Sequence, residues 1–118
     1  MATIPLVSTS DHINNRSSYI TWTPLANGDD GSPLQLAGAP DKTVTIQGTF
    51  GVGGSVTIQG SNDGAVWFPL TDMQANAITK TTAAIEMIVE SPRYIRPIVT
   101  AGDGTTAITV IICAKYSK

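Results

Sequence analysis

From Lys42 to Ser61 hydrophobic and polar residues alternate one by one, as "KTVTIQGTF" and again as "SVTIQGS", and the five residues VTIQG are written twice across a glycine seam, "GVGG". A period of two marks a strand with one buried and one wet face. It places Val44, Ile46, Gly48 and Phe50 on one side of the first strand, and Val56, Ile58 and Gly60 on one side of the second. Thr45, Gln47, Thr49, Thr57 and Gln59 face the other way. A five-residue repeat is far shorter than the roughly 20–50-residue periods of solenoids and propellers, so the pattern predicts two neighbouring antiparallel strands of one sheet, joined as a hairpin.

The same alternation recurs along most of the chain. Tyr19 to Leu25, "YITWTPL", reads as a strand and runs into a loop rich in turn formers, "ANGDDGSP". Asn62, Asp63 and Gly64 reverse the chain into "AVWFPL", where Pro69 lacks a ladder donor and therefore marks an edge or an exit. Residues 71–90 mix helix-favouring Ala83, Ala84, Glu86 and Met87 with strand-favouring Ile85, Ile88 and Val89, and read as a loop followed by a strand that Ser91-Pro92 stops. "RYIRPIVT" and "TTAITVIICAKY" flank Ala101-Gly-Asp-Gly as a terminal hairpin. The last strand is apolar on both faces from Ile108 to Ala114, as expected for a central strand covered on both sides. With about seven or eight short strands at regular spacing and no secure helix, the expected fold is all-β: an antiparallel β-sandwich or jelly roll.

Residues 17–118 are expected to form this single domain. Residues 1–16 combine an apolar patch, Ile4, Pro5, Leu6 and Val7, with a polar tail, Ser8 to Asn15, that shows neither strand nor helix period, and are expected to be an extended arm that pairs with an exposed strand of a neighbouring subunit.

Composition narrows the function. Only 14% of the 118 residues are charged, against about 25% in an ordinary globular chain, and threonine is the commonest residue. Hydroxyls and amides make up the polar surface, which suits a protein docked in an assembly better than one diffusing alone. A net charge of −2 with scattered Lys and Arg offers no counterion-releasing patch, so nucleic acid is not an expected partner. No run approaches the roughly 18 apolar residues of a membrane span, and the N-terminal segment has no basic-then-apolar export pattern; neither a membrane nor a secretory route is expected.

Sites for chemistry are expected to be absent: no catalytic, cofactor or metal residues. His12, the one histidine, has no motif partner; Cys113, the one cysteine, reads as a small buried hydrophobe. No GxSxG, HExxH, P-loop or CxxC occurs. "NGDDG", "SNDG" and "AGDGT" are oxygen-rich but lack the carboxylate spacing of a calcium loop, so turn chemistry is the expected role of their acids. Trp67 is expected in the core, whereas Trp22 is open between core and a sugar-stacking platform. Arg93 and Arg96 are expected to pair with Glu86, Glu90 or a backbone carbonyl.

The segments "VTIQGSNDGAVWFPL", "SPRYIRPIVT" and "ITVIICAKY" resemble the small β-sandwich proteins encoded among the structural genes of tailed bacteriophages, which decorate or cement the capsid. The phrases S-N-D-G-x-x-W and R-Y-I-R also resemble the discoidin-type jelly roll, which binds glycans and lipids. That domain is longer, with a disulfide joining its ends and apolar loop spikes, whereas this chain has one cysteine and polar loops, so lipid or glycan binding is not carried over from it. The phage resemblance implies a non-enzymatic virion protein, made in the host cytoplasm, that bridges capsid subunits on the outer capsid surface. Its implied partner is the major capsid protein; a symmetric dimer or trimer is expected from the last strand, one of whose two apolar faces another protomer would cover. The residues expected to meet a partner are Ile4, Leu6, Val7 and Arg16 of the arm, together with Trp22. The alternative is a glycan-binding module of a phage tail or adhesion apparatus.

Overall fold

A computed structural model describes residues 2–10, 17–35 and 41–115. They form twelve strands and no helix: β1 (Thr3–Ile4), β2 (Val7–Ser10), β3 (Ser17–Leu25), β4 (Asp30–Gly31), β5 (Leu34–Gln35), β6 (Asp41–Thr49), β7 (Ser55–Ser61), β8 (Phe68–Pro69), β9 (Thr79–Lys80), β10 (Ala84–Ile88), β11 (Tyr94–Ala101) and β12 (Ala107–Lys115). Two sheets result. One is five-stranded in the order β10-β6-β12-β3-β2; the other is seven-stranded, running β1-β4-β11-β7-β8 with β5 also on β11 and β9 also on β7. Only β1 and β4 pair in parallel; the other described pairs are antiparallel. The β-sandwich expected from the alternation is therefore the fold.

The alternation dictates the core. Ile20, Trp22 and Leu25 of β3, Val44 and Ile46 of β6, and Ile108, Val110 and Ile112 of β12 point inward from the five-stranded sheet. Val56 and Ile58 of β7 and Ile95 and Val99 of β11 meet them from the seven-stranded sheet. All are essentially sealed from water, the arrangement that two sheets twisted over one shared core require.

The pairing of strands departs from the sequence reading in one instructive way. β6 and β7, which carry the two VTIQG copies, are not a hairpin: β6 lies between β10 and β12 in one sheet, and β7 beside β11 in the other. The terminal pair repeats this, since β11 and β12 also belong to opposite sheets. Alternation reports which face of a strand is inward, and facing sheets of a sandwich impose the same alternation as neighbouring strands of one sheet. Both connections are crossovers at one end of the sandwich, and they are tied together. The Asp103 carboxylate accepts from the Val52 amide at 2.8 Å, and the Thr106 hydroxyl donates to the Phe50 carbonyl at 2.8 Å.

The described part of the expected arm is likewise bonded onto the domain. β1 pairs with β4 on the seven-stranded sheet, and β2 pairs with β3 on the five-stranded one. Ile4 and Leu6 pack against the core. Residues 2–10 are thus edge strands clasping both layers rather than a free extension; residues 11–16, where the expected boundary falls, lie outside the described residues.

Candidate interaction surfaces

The first surface is the outer face of the five-stranded sheet. Residues opposite one another in an antiparallel ladder project to the same side, so the register assembles rows across all five strands. One row runs Ile85, Thr45, Ile111, Thr21, Val7; the next runs Met87, Thr43, Cys113, Tyr19, Thr9. A third contains Gln47, Thr109 and Thr23, the two threonine hydroxyls 2.7 Å apart in a hydrogen bond. Neither acid nor base interrupts these rows; charge returns at one end, where Asp41 lies opposite Lys115. Ile85 and Val7 are 67% and 64% exposed, while Ile111 and Cys113 at the centre are half-buried by their neighbours. β12 is the central strand it was expected to be, but its second apolar face is covered only in part.

The second surface, on the seven-stranded sheet, is polar. Arg96 of β11 is held by three groups: its Nε donates to Gln59 Oε1 at 3.0 Å, its Nη1 to Asp30 Oδ2 at 3.1 Å, and its guanidinium lies 4.2 Å from the centre of the Trp67 ring. Asp30 also accepts from the Thr3 hydroxyl at 2.8 Å, so β1 is fastened to the same cluster. Beside it lies an open cleft of about 540 Å³, walled by Ser61, Asn62 and Asp63 on one side and Glu90, Ser91 and Pro92 on the other, with Phe68 and Leu70 between.

The carboxylates near this cleft are already engaged. Asp63 accepts from the backbone amides of Val66 and Ala65 and from the Ser61 hydroxyl, and these donors pull its pKa down to about 2. Burial works to raise the Glu90 pKa, but the hydroxyl and amide of Thr71 outweigh it and hold the group ionised below its ordinary range. Behind the wall, Lys42 occupies an inward position in line with Val44 and Ile46, and is almost wholly buried. Its ammonium donates to the Ser91 hydroxyl at 2.9 Å. Burial lowers its pKa, and the nearby Asp41 and Glu90 carboxylates counter that shift.

The oxygen-rich turns use their acids in the same way. Asp29 accepts from the amides of Ala2 and Ala26, and Asp103 from the Thr105 hydroxyl and the amides of Val52 and Thr105, which hold the Asp103 pKa at about 2. Among the described residues no three His, Cys, Asp or Glu side chains gather as a metal site requires.

The expected contact residues fare unequally. Val7 is exposed on the five-stranded face, while Ile4 and Leu6 are spent largely on the core. Arg16 and His12 fall outside the described residues. Trp22 is 0% exposed, with its indole N–H donated to the Ser32 carbonyl at 3.0 Å, and presents no surface to a partner. Trp22, which the sequence left open, is core, whereas Trp67, expected in the core, is half-buried and stacks on Arg96 outside it. The arginine pairing is also corrected. Arg96 takes Asp30, Glu86 takes Lys80 at 2.7 Å, and Glu90 takes Thr71. Of the five-stranded face the sequence carried one strand: the apolar residues of β12 at both parities pointed to a face that another protomer could cover, but not to the rows that β10, β6, β3 and β2 add to it.

No protein-family model matches the chain, and no curated protein sequence does. Among solved structures it is similar to the SPBc2 prophage-derived protein YomS, with a TM-score of 0.62 at 11% identity over 88% of this chain and 98% of that one. An RmlC-like cupin protein from Desulfovibrio desulfuricans aligns with a TM-score of 0.47 at 10% identity, over 93% of this chain and 82% of that one. At such identities the likeness to YomS is one of fold.

Proposed function

We propose that the protein is a non-enzymatic structural component of a phage virion, bound to the outer surface of the capsid and bridging its subunits. The observation that carries this reading is the fold: a charge-poor sandwich that spans nearly the whole of a prophage-derived protein. The engagement of Asp29, Asp63, Asp103 and Glu90 with local donors supports it, because those carboxylates stiffen turns instead of waiting for a substrate proton. A rigid body contacting two coat subunits adds its binding free energy to the lattice's resistance to opening. Quantitative mass spectrometry of purified virions of the encoding phage tests this. Copy numbers on the scale of the coat protein are expected; absence from the particle overturns the reading.

A second reading, a glycan-binding module of the tail, is favoured by one feature: Phe68, 65% exposed, lines the cleft, and the half-exposed Trp67 is its neighbour in the chain. Aromatic faces of this kind stack on sugar rings. A few copies per particle, with host-glycan binding lost in Trp67→Ala, would select it.

A further inference from the structure

We propose that the outer face of the five-stranded sheet is the interface between two copies of this chain. The proposal stands apart from the phage reading, since it concerns the isolated protein. Three uncharged rows cross all or most of the sheet, and four of the large exposed hydrophobics of the described chain, Val7, Tyr19, Ile85 and Met87, lie in them around Ile111 and Cys113.

Size and charge point to a second copy as the occupant. Five strands about 4.8 Å apart, read over three rows, make a flat area on the order of 25 by 20 Å. With side-chain relief, two such faces together remove on the order of 1,000 Å² from water, the size at which specific interfaces begin. A face brought against its own copy meets no like charge, because the rows contain none and the Asp41–Lys115 pair at their end has both signs. Sheets stack at about 10 Å with strands near 30° apart, and a two-fold axis lying midway between the two faces, above β12, would set Ile111 and Cys113 of one copy near those of the other. The threonines remain hydrated at the rim or bond across it.

Sedimentation velocity on the full chain, from about 1 to about 200 micromolar, tests this directly. Wild-type protein should move with concentration from the 12.3 kDa protomer toward twice that mass. Ile111→Lys should raise the dissociation constant at least tenfold, and Ile85→Lys, at an exposed edge position that tolerates lysine in the protomer, should do the same. Val66→Lys, exposed in the turn between β7 and β8 of the other sheet, should leave association unchanged. The native Cys113 provides a separate readout: its rate of reaction with a thiol reagent should fall as wild-type concentration rises, and should not in Ile85→Lys. A wild-type protein that stays monomeric at about 200 micromolar overturns the proposal. So does a dimer that ignores Ile85→Lys, or one in which Cys113 reacts as fast as in the protomer. Protection of Cys113 only on capsids would give the face to a coat subunit and overturn it equally.

Discussion

Val44–Gly48 and Val56–Gly60 are the same five residues placed in opposite sheets, and comparing them position by position separates what sequence dictates from what neighbours decide. The apolar positions behave alike: Val44 and Val56, Ile46 and Ile58 all face the one core and are sealed from water. The polar positions do not. Thr45 lies in the uncharged outer row, whereas Thr57 is buried under β9 and hydrogen-bonds the Thr79 hydroxyl at 3.0 Å. Gln47 is exposed, whereas Gln59 holds Arg96. Each copy also ends in glycine for its own reason. Gly48 has φ +121°, and a Cβ there would lie 2.5 Å from the Ala107 carbonyl oxygen; at Gly60 it would lie 2.6 Å from Leu70 and Pro92 side-chain atoms. Shared hydrophobic demand writes the repeat, and the local surroundings give each polar copy its separate role.

The largest effects should be equal in the two copies. Ile46→Ala and Ile58→Ala should each cost roughly 2–5 kcal/mol in equilibrium urea unfolding, the range for truncating a sealed aliphatic side chain. A cost below about 1 kcal/mol at one site alone would break the symmetry of the core. The glycines come next. Gly48→Ala and Gly60→Ala should each cost roughly 1–3 kcal/mol, with Gly48 at the upper end because its obstacle is backbone and its φ is left-handed, while at Gly60 the obstacles are side chains, of which Leu70 can turn aside and the Pro92 ring must shift. The glutamines should diverge. Gln59→Ala should cost about 1 kcal/mol by removing an acceptor from Arg96, and Gln47→Ala should stay within about 0.5 kcal/mol of zero.

The smallest effect concerns the acids that follow the copies. The first copy leads into a loop capped by Asp103 from another part of the chain, and the second into a turn closed by Asp63 within its own few residues. Both carboxyls have folded pKa values of about 2, below the unfolded value of 3.8. Their stabilisation is therefore complete above the unfolded value and lost as pH falls toward 2. Thermal midpoints measured from neutral pH down to 2 should show that decline, and it should shrink in Asp103→Asn and in Asp63→Asn. An unaltered decline in both variants would assign the acid sensitivity to other groups.

Much of this was legible before any coordinates. The inward set, the break at Ser91-Pro92 and the strand that follows the ambiguous stretch from Thr71 all come from a period of two and from turn chemistry. Which strands lie side by side was not legible, because a short glycine loop between two alternating strands serves a hairpin and a crossover equally. The same limit hid all of the outer face but the apolar second side of β12: Val7, Thr21, Ile111, Thr45 and Ile85 lie far apart in sequence and become a row only once the register is known. For Trp22 the deciding signal was its parity, shared with Ile20 and opposite to that of the flanking Thr21 and Thr23, though an aromatic at that position left a platform equally open. Lys42 was hidden in plain view, a charge written in phase with two core residues.

The position of β12 bears on the order in which the molecule is made. It lies between β3 and β6, both of which are synthesised long before it, and pairs with each along most of its length. Until that stretch leaves the ribosome, the five-stranded sheet exists as two separate pieces with a bare backbone edge on each side of the gap. Such edges are what neighbouring nascent chains recruit into aggregates. A ribosome paused before Ala107 would therefore hold a chain whose most hazardous surfaces are open, and completion of one strand would close both at once.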